Sequence, residues 1–350
     1  MTSTTLSLQA HSSESPVNAT ERSRLIKGVA VGLLAASIGA LYTVVARWGI
    51  GNGLQSPDLT VLRFGVAGII TLPILLFAWR GGRNELLSRW KLWVAISFLA
   101  GTPFGLLMFG ALQLAPPSHA AVFPFAAMSV MGMLMSAWML GDKITARKAA
   151  GITIVLAGLL ILSGVDAASF SVRALLGDFM FIAAGTLWAG FGVLLRKHKL
   201  DPLLATAVVS FSALLTYVPA YLLLSGGQRL IEAAPHVFWI EVLVQGVIAG
   251  AGTLYTYAKM VSLLGPARAA LFPALAPGLA ALMAWPVLAH VPSFSEAAGL
   301  SVAMAGLIIA VTNSITQRPT HQILERNEHA NNFGSPKNTH DTACSPQSGL

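Results

Sequence analysis

Runs of about twenty apolar residues alternate with short polar breaks along this chain, and the pattern repeats roughly ten times. That length lets an α-helix cross a hydrocarbon core of about 30 Å. The runs predict helices at roughly 26–48, 59–79, 92–113, 118–140, 146–165, 174–195, 203–224, 238–263, 267–288 and 295–315. Backbone groups in lipid must pair within their own segment, so helix is the expected form of every run. The predicted fold is therefore all-α and integral to the membrane. Polar, Ser/Thr-rich residues 1–25 and Asn/His/Pro/Ser-rich residues 316–350 are expected to be disordered tails outside it.

Composition supports the same solvent. The 350 residues are 55% hydrophobic and only 10% charged, where a soluble domain carries about a quarter charged residues. The net charge of +8 does not point to nucleic acid, because the basic residues lie in the breaks between spans. Alternate breaks hold Arg22, Arg24 and Lys27; Arg80, Arg83, Arg89 and Lys91; Lys143, Arg147 and Lys148; Arg196, Lys197 and Lys199; Arg268; and Arg318, Arg326 and Lys337. The other breaks hold only Arg47, Arg173 and Arg229. This bias predicts a multi-pass protein of the bacterial inner (plasma) membrane with both termini cytoplasmic. The first residues lack the basic-then-apolar pattern of a signal peptide. The single cysteine, Cys344, allows neither an internal disulfide nor a cysteine-based metal site.

The ten runs divide into two groups of five. Shifting the first by 149 positions places Gly28 on Gly177, Arg47 on Arg196 and Gly101 on Gly250. The same shift places Pro117, Ala120, Ala121, Phe123, Pro124 and Ala127 on Pro266, Ala269, Ala270, Phe272, Pro273 and Ala276. Two units of five spans, 26–165 and 174–315, must enter the membrane from opposite faces. An inverted repeat of this kind is the architecture of solute carriers.

On these residues the chain resembles the EamA-type permeases of the drug/metabolite transporter superfamily, over about residues 28–313. The resemblance rests on Leu62-Arg63-Phe64, on Pro124 and Pro273 after short hairpins, and on the turn Gly141-Asp142-Lys143-Ile144-Thr145 leading to Gly151 and Gly158. The second copy departs: His290-Val291-Pro292-Ser293 has no acid. The resemblance implies an exporter of amino acids, other metabolites or drugs, with spans one, three, four, six, eight and nine around a central cavity.

Within the spans, chemistry is sparse. Pro124 and Pro273 free the carbonyls of Ala120 and Ala269, which either line a solute path or accompany simple kinks. Arg63 and Lys259 are the only basic residues well inside spans; each either faces the cavity or reaches the interface with its long stem. Tyr255 shares a helix face with Lys259, and the pair suits a carboxylate or phosphate. Trp188, between Gly185 and Gly192, is a candidate pocket wall or a packing residue. His119 aligns with Arg268, and the two are candidate gates or interfacial anchors. Asp58, Asp142, Asp178, Glu241 and Glu296 all fall at span ends, so the interior is expected to be neutral to positive and to favour acidic solutes. Gly28/Gly32, Gly101/Gly105 and Gly246/Gly250 put glycine pairs on single faces for close packing.

No phosphate-binding Gly-x-x-x-x-Gly-Lys-Ser/Thr, zinc-binding His-Glu-x-x-His or Gly-x-Ser-x-Gly motif occurs. No cofactor, metal or enzymatic activity is expected. The predicted function is alternating-access export of amino acids or other carboxylate-bearing solutes, driven by a gradient. Rival readings are a carrier of sugar phosphates, nucleotide-sugars or hydrophobic drugs, and an intramembrane enzyme or receptor. The partners expected are a small solute and the lipid bilayer. Oligomeric state is left open.

Overall fold

Where the sequence is apolar for about twenty residues the backbone is helical. A computed structural model describes residues 16–162, 171–264, 272–289 and 291–316, and among these residues there is no strand. The helices are α1 (Pro16–Gly51), α2 (Ser56–Ser88), α3 (Trp90–Ala100), α4 (Thr102–Leu114), α5 (Pro117–Leu140), α6 (Ala146–Leu162) and α7 (Val172–His198). They continue with α8 (Pro202–Ser225), α9 (Gln228–Glu232), α10 (Pro235–Glu241), a π-helical segment (Val242–Gly252) and α11 (Thr253–Leu264). A 3₁₀ turn (Phe272–Leu275), α12 (Ala276–Leu288) and α13 (Phe294–Thr316) complete the order. Seven helical stretches among the described residues are long and apolar enough to cross a membrane: Ser23–Gly51, Ser56–Gly81, Trp90–Leu114, Val122–Leu140, Val172–His198, Pro202–Ser225 and Pro235–Gly252.

Three boundaries depart from the apolar pattern. Helix α1 begins at Pro16, upstream of residue 26 and inside the stretch assigned to a tail. Helical hydrogen bonding continues through polar residues, which an apolar window cannot register. The run at 92–113 is broken at Gly101, whose backbone (φ −93°, ψ −136°) ends α3 and starts α4. The run at 238–263 passes through the π-helical segment. The 149-residue shift places the break at Gly101 on Gly250, within that segment.

The surface is apolar and the interior is small. Phe77, Trp138, Leu223, Leu224 and Phe294 stand exposed, while Ala40, Ala46, Ala111 and Ala184 are fully buried beside Phe109, Phe181 and Leu112. Lipid is the solvent that such a surface needs, and small residues let the helix backbones approach. The most extensive helix pairings join early to late chain: α6 with α13, α5 with α7, α2 with α8 and α1 with α11. The halves therefore interleave. At the α2–π-segment crossing, Gly246 faces Val66, and Gly250 faces Ala67 and the Arg63 carbonyl. A Cβ at either glycine would overlap those neighbours.

Candidate functional site

Two buried acidic clusters form where the α1–α2 turn packs on the second half. The first surrounds Asp58, in the opening turn of α2. Its Oδ2 accepts from the Gln55 backbone N–H (2.7 Å) and from Arg229 Nε (3.0 Å), and its Oδ1 accepts from the Tyr221 hydroxyl (2.6 Å). The Tyr217 hydroxyl donates to the Pro57 carbonyl (3.2 Å). Asp58 is fully buried, yet both oxygens are occupied and a cation is in contact. Buried charge is tolerated in that arrangement. This cluster ties α2 to α8 and α9.

The second cluster lies one to two turns further into the bundle, between α1, α2 and the π-helical segment. Arg63 is 5% exposed and its guanidinium carbon lies 4.5 Å above the centre of the Tyr42 ring, a cation–π contact worth about 2 kcal/mol when desolvated. Gln245 is fully buried and its Nε2 donates to the Tyr42 carbonyl (2.9 Å). Glu241, four residues earlier on the same face, is fully buried against Gly49 of α1. Only a glycine there leaves room for the carboxyl group.

Unlike the Asp58 cluster, this one is incomplete. Among the described residues, Arg63 Nη1, both Glu241 oxygens and Gln245 Oε1 are buried with no hydrogen-bond partner. An uncompensated buried charge costs several kcal/mol, and intramembrane ionisable groups are generally functional. The unpartnered atoms are the Nη1 amino group of a cation and three acceptor oxygens.

The interior is thus not neutral to positive as the span-end positions suggest. Asp58, Asp178 and Glu241 are all buried. A residue near the end of an apolar run is not thereby at the protein surface, because neighbouring helices and turns extend past it.

The other expected residues are scattered around this centre. His119 is buried, with Nδ1 2.8 Å from Asp178 Oδ1 and its ring stacked on Phe123 at 5.3 Å. It therefore joins α5 to α7. Arg268 and Ala269 lie outside the described residues. Trp188 is half-buried and packs on Phe104 (4.8 Å) and Phe191 (5.5 Å). Pro124 lies inside the continuous helix α5, its own carbonyl against Gly185 of α7, with Ala120 buried one turn before it. Pro273 falls in the 3₁₀ turn before α12; its side chain and that of Tyr255 are outside the described set. Lys259 is exposed on α11. The structure therefore brings Arg63 onto Tyr42, whose carbonyl holds Gln245, while Glu241 packs on Gly49. Asp142, in the turn after α5, pairs with Arg196 at the end of α7. Among the described residues no group of three or more His, Cys, Asp or Glu side chains is placed to hold a metal ion.

Gln245 and Tyr42 were not singled out by sequence reasoning, and Glu241 was noted only as an acid at a span end. The available signal was the Glu-x-x-x-Gln spacing, which puts two polar side chains on one face of an otherwise apolar span.

Comparison with known proteins converges on one family. The EamA-like transporter family matches residues 26–164 and again residues 175–312. A probable amino-acid metabolite efflux pump of Escherichia coli (strain K12) is 24% identical over 242 residues, covering 67% of this chain and 77% of the pump. The aromatic amino acid exporter YddG of Ancylobacter novellus is 29% identical over 192 residues, covering 51% of this chain and 65% of the exporter. One solved crystal structure superposes with a TM-score of 0.59 at 20% identity, over 82% of this chain and 97% of that one, which shows a shared fold. With two family matches spanning nearly all the helical chain, and helices long and apolar enough to cross a bilayer, this multi-pass membrane protein belongs to the EamA-like transporter family.

Proposed function

We propose that the protein is a secondary carrier exporting amino acids or other carboxylate-bearing solutes across the bacterial inner membrane by alternating access. In this reading ten spans form two inverted five-helix repeats, 26–165 and 174–315, with both termini cytoplasmic. The observation that carries it is the double family match, one per half of the chain. The basic bias of alternate breaks supports the orientation. The names of the two relatives, an amino-acid metabolite efflux pump and an aromatic amino acid exporter, support the cargo class.

Arg63 supplies the carboxylate partner in this reading. It is buried with its Nη1 amino group unused, and a charge-assisted bond to a carboxylate would answer both facts. Trp188 forms a wall of the solute path. Lys259, exposed on α11 with Tyr255 one turn before it, serves as an entry cation. Pro124 and Pro273 shape the path beside Ala120 and Ala269. His119, held by Asp178, and Arg268 act as gates.

The test is efflux of labelled metabolites from cells with and without the protein, repeated after the proton gradient is collapsed. Faster efflux of amino acids, lost in Arg63→Ala, is the expected result. Efflux of sugar phosphates, nucleotide-sugars or hydrophobic drugs, with no amino-acid efflux, would replace this reading.

A further inference from the structure

We infer that α5 and α7 move as one body during transport, and that the path opens and closes along the repeat-related seam between α1 and α12. The inference rests on the export reading and adds to it which helices part.

The two seams hold equivalent places in the sequence. The 149-residue shift pairs α7 with α1, and α5 with the stretch that holds the 3₁₀ turn and α12. They are not equally fastened. At one end of the α5–α7 seam, His119 Nδ1 lies 2.8 Å from Asp178 Oδ1, with both residues buried. At the other end, Arg196 donates to Asp142. Between these ties the backbones touch: a Cβ at Gly185 would lie 2.5 Å from the Pro124 carbonyl oxygen and 2.9 Å from the Met128 nitrogen. The contacts run along α7 from Asp178 to Arg196, about 27 Å at 1.5 Å per residue, nearly the thickness of a hydrocarbon core.

The α1–α12 seam lacks the acids. The shift places His119 on Arg268 and Arg196 on Arg47, so both positions keep a basic residue. Asp178 and Asp142 fall on Val29 and Val291, which stand 45% and 69% exposed. A valine side chain accepts no hydrogen bond, so neither tie can form there. This seam instead sets Gly32 against the Phe272 ring and Gly39 opposite Ala276. Such apolar contacts part without stranding a polar group. Separating α5 from α7 would leave a buried histidine and a buried aspartate without each other, which is strongly unfavourable. The exposed Arg196–Asp142 pair adds little energy, but it marks the seam as closed at that end too. Alternating access needs one body to move against another, and the seam without buried polar ties is the one free to part. His119, held by Asp178, is then the fixed post of its gate.

The experiment is a matched pair of disulfide staples in proteoliposomes of the full-length protein carrying Cys344→Ser. A Cβ added at Gly132 of α5 would lie 3.9 Å from that of Ala189 of α7, and one at Gly39 of α1 would lie 3.9 Å from that of Ala276 of α12. Both distances suit a disulfide. Nothing lies closer to either added atom, so each variant has room to fold. Exchange of a labelled amino-acid mixture is measured before and after oxidation, with each reduced variant as its own control. Oxidising Gly132→Cys/Ala189→Cys should change the rate by less than about twofold, because a fixed seam loses nothing when stapled. Oxidising Gly39→Cys/Ala276→Cys should slow exchange by at least about tenfold, and dithiothreitol should restore it. Arrest by the α5–α7 staple overturns the inference, and so does free exchange with the α1–α12 staple closed. Failure of either pair to close also overturns it, because both seams are in contact in this structure. A wild type that exchanges no amino acid overturns the export reading instead, a result seen before any oxidation.

Discussion

Asp58 and Glu241 are both acids, both fully buried, and both sit near the start of a helical run. Their surroundings differ completely. Asp58 accepts three hydrogen bonds, one from a guanidinium, and joins α2 to α8 and α9. Glu241 lies against the Gln245 side chain and the Gly49 backbone but accepts no well-formed hydrogen bond from either. Burial alone therefore says little about what an acid does. The first is tied into the fold by its hydrogen bonds, and the second is held by packing alone. The same distinction separates Arg229, whose Nε is bound to Asp58, from Arg63, whose Nη1 is unused.

Substitutions can break this comparison. The largest effect is expected at Asp58: Asp58→Ala strands the Tyr221 hydroxyl and the Arg229 cation, and should cost about 3–5 kcal/mol in thermal or denaturant unfolding in detergent. If that variant is as stable as wild type, the Asp58 cluster is not a structural tie. Glu241→Leu should act in the opposite direction, raising stability by about 1–3 kcal/mol, because it removes buried acceptors that lack partners. A loss of comparable size would mean that Glu241 is satisfied in the folded protein, and the contrast would disappear.

Gly49→Ala sharpens the test. Its Cβ would overlap the Glu241 carboxyl group, so it should destabilise by about 1–3 kcal/mol. In a Glu241→Ala background most of that loss should vanish, and a double-mutant cycle on unfolding midpoints reads the coupling. Additive effects would place the Glu241 side chain away from Gly49. The smallest effect is expected at Arg196→Ala. Arg196 and Asp142 pair at the surface, with side chains 51% and 43% exposed, and such pairs contribute about 1 kcal/mol or less. A larger loss would show that this pair, unlike other exposed ones, is central to how α5 meets α7.

Legibility followed the range of each interaction. Arg63 was visible in the sequence because a cation within an apolar run is anomalous without reference to anything else. Glu241 was passed over because it lies near the edge of its run, where an acid is unremarkable until α1 is seen packed against it. His119 was picked out as polar, but its partner Asp178 lies 59 positions away and belongs to another helix. The glycine pairs were visible as packing faces, and Gly246 and Gly250 do meet α2. Gly101 instead marks the break between α3 and α4. The two roles look alike in sequence because both need a residue without a side chain.

The sequence by itself determined the solvent and the elements. A run of twenty apolar residues has one low-energy form in lipid, and that follows from composition and local hydrogen bonding alone. It also carried the family, which matches each half of the chain. Tertiary structure decided which polar groups found partners. That depends on helices far apart in the chain meeting at one depth, and pairing over such separations leaves no local trace in either segment.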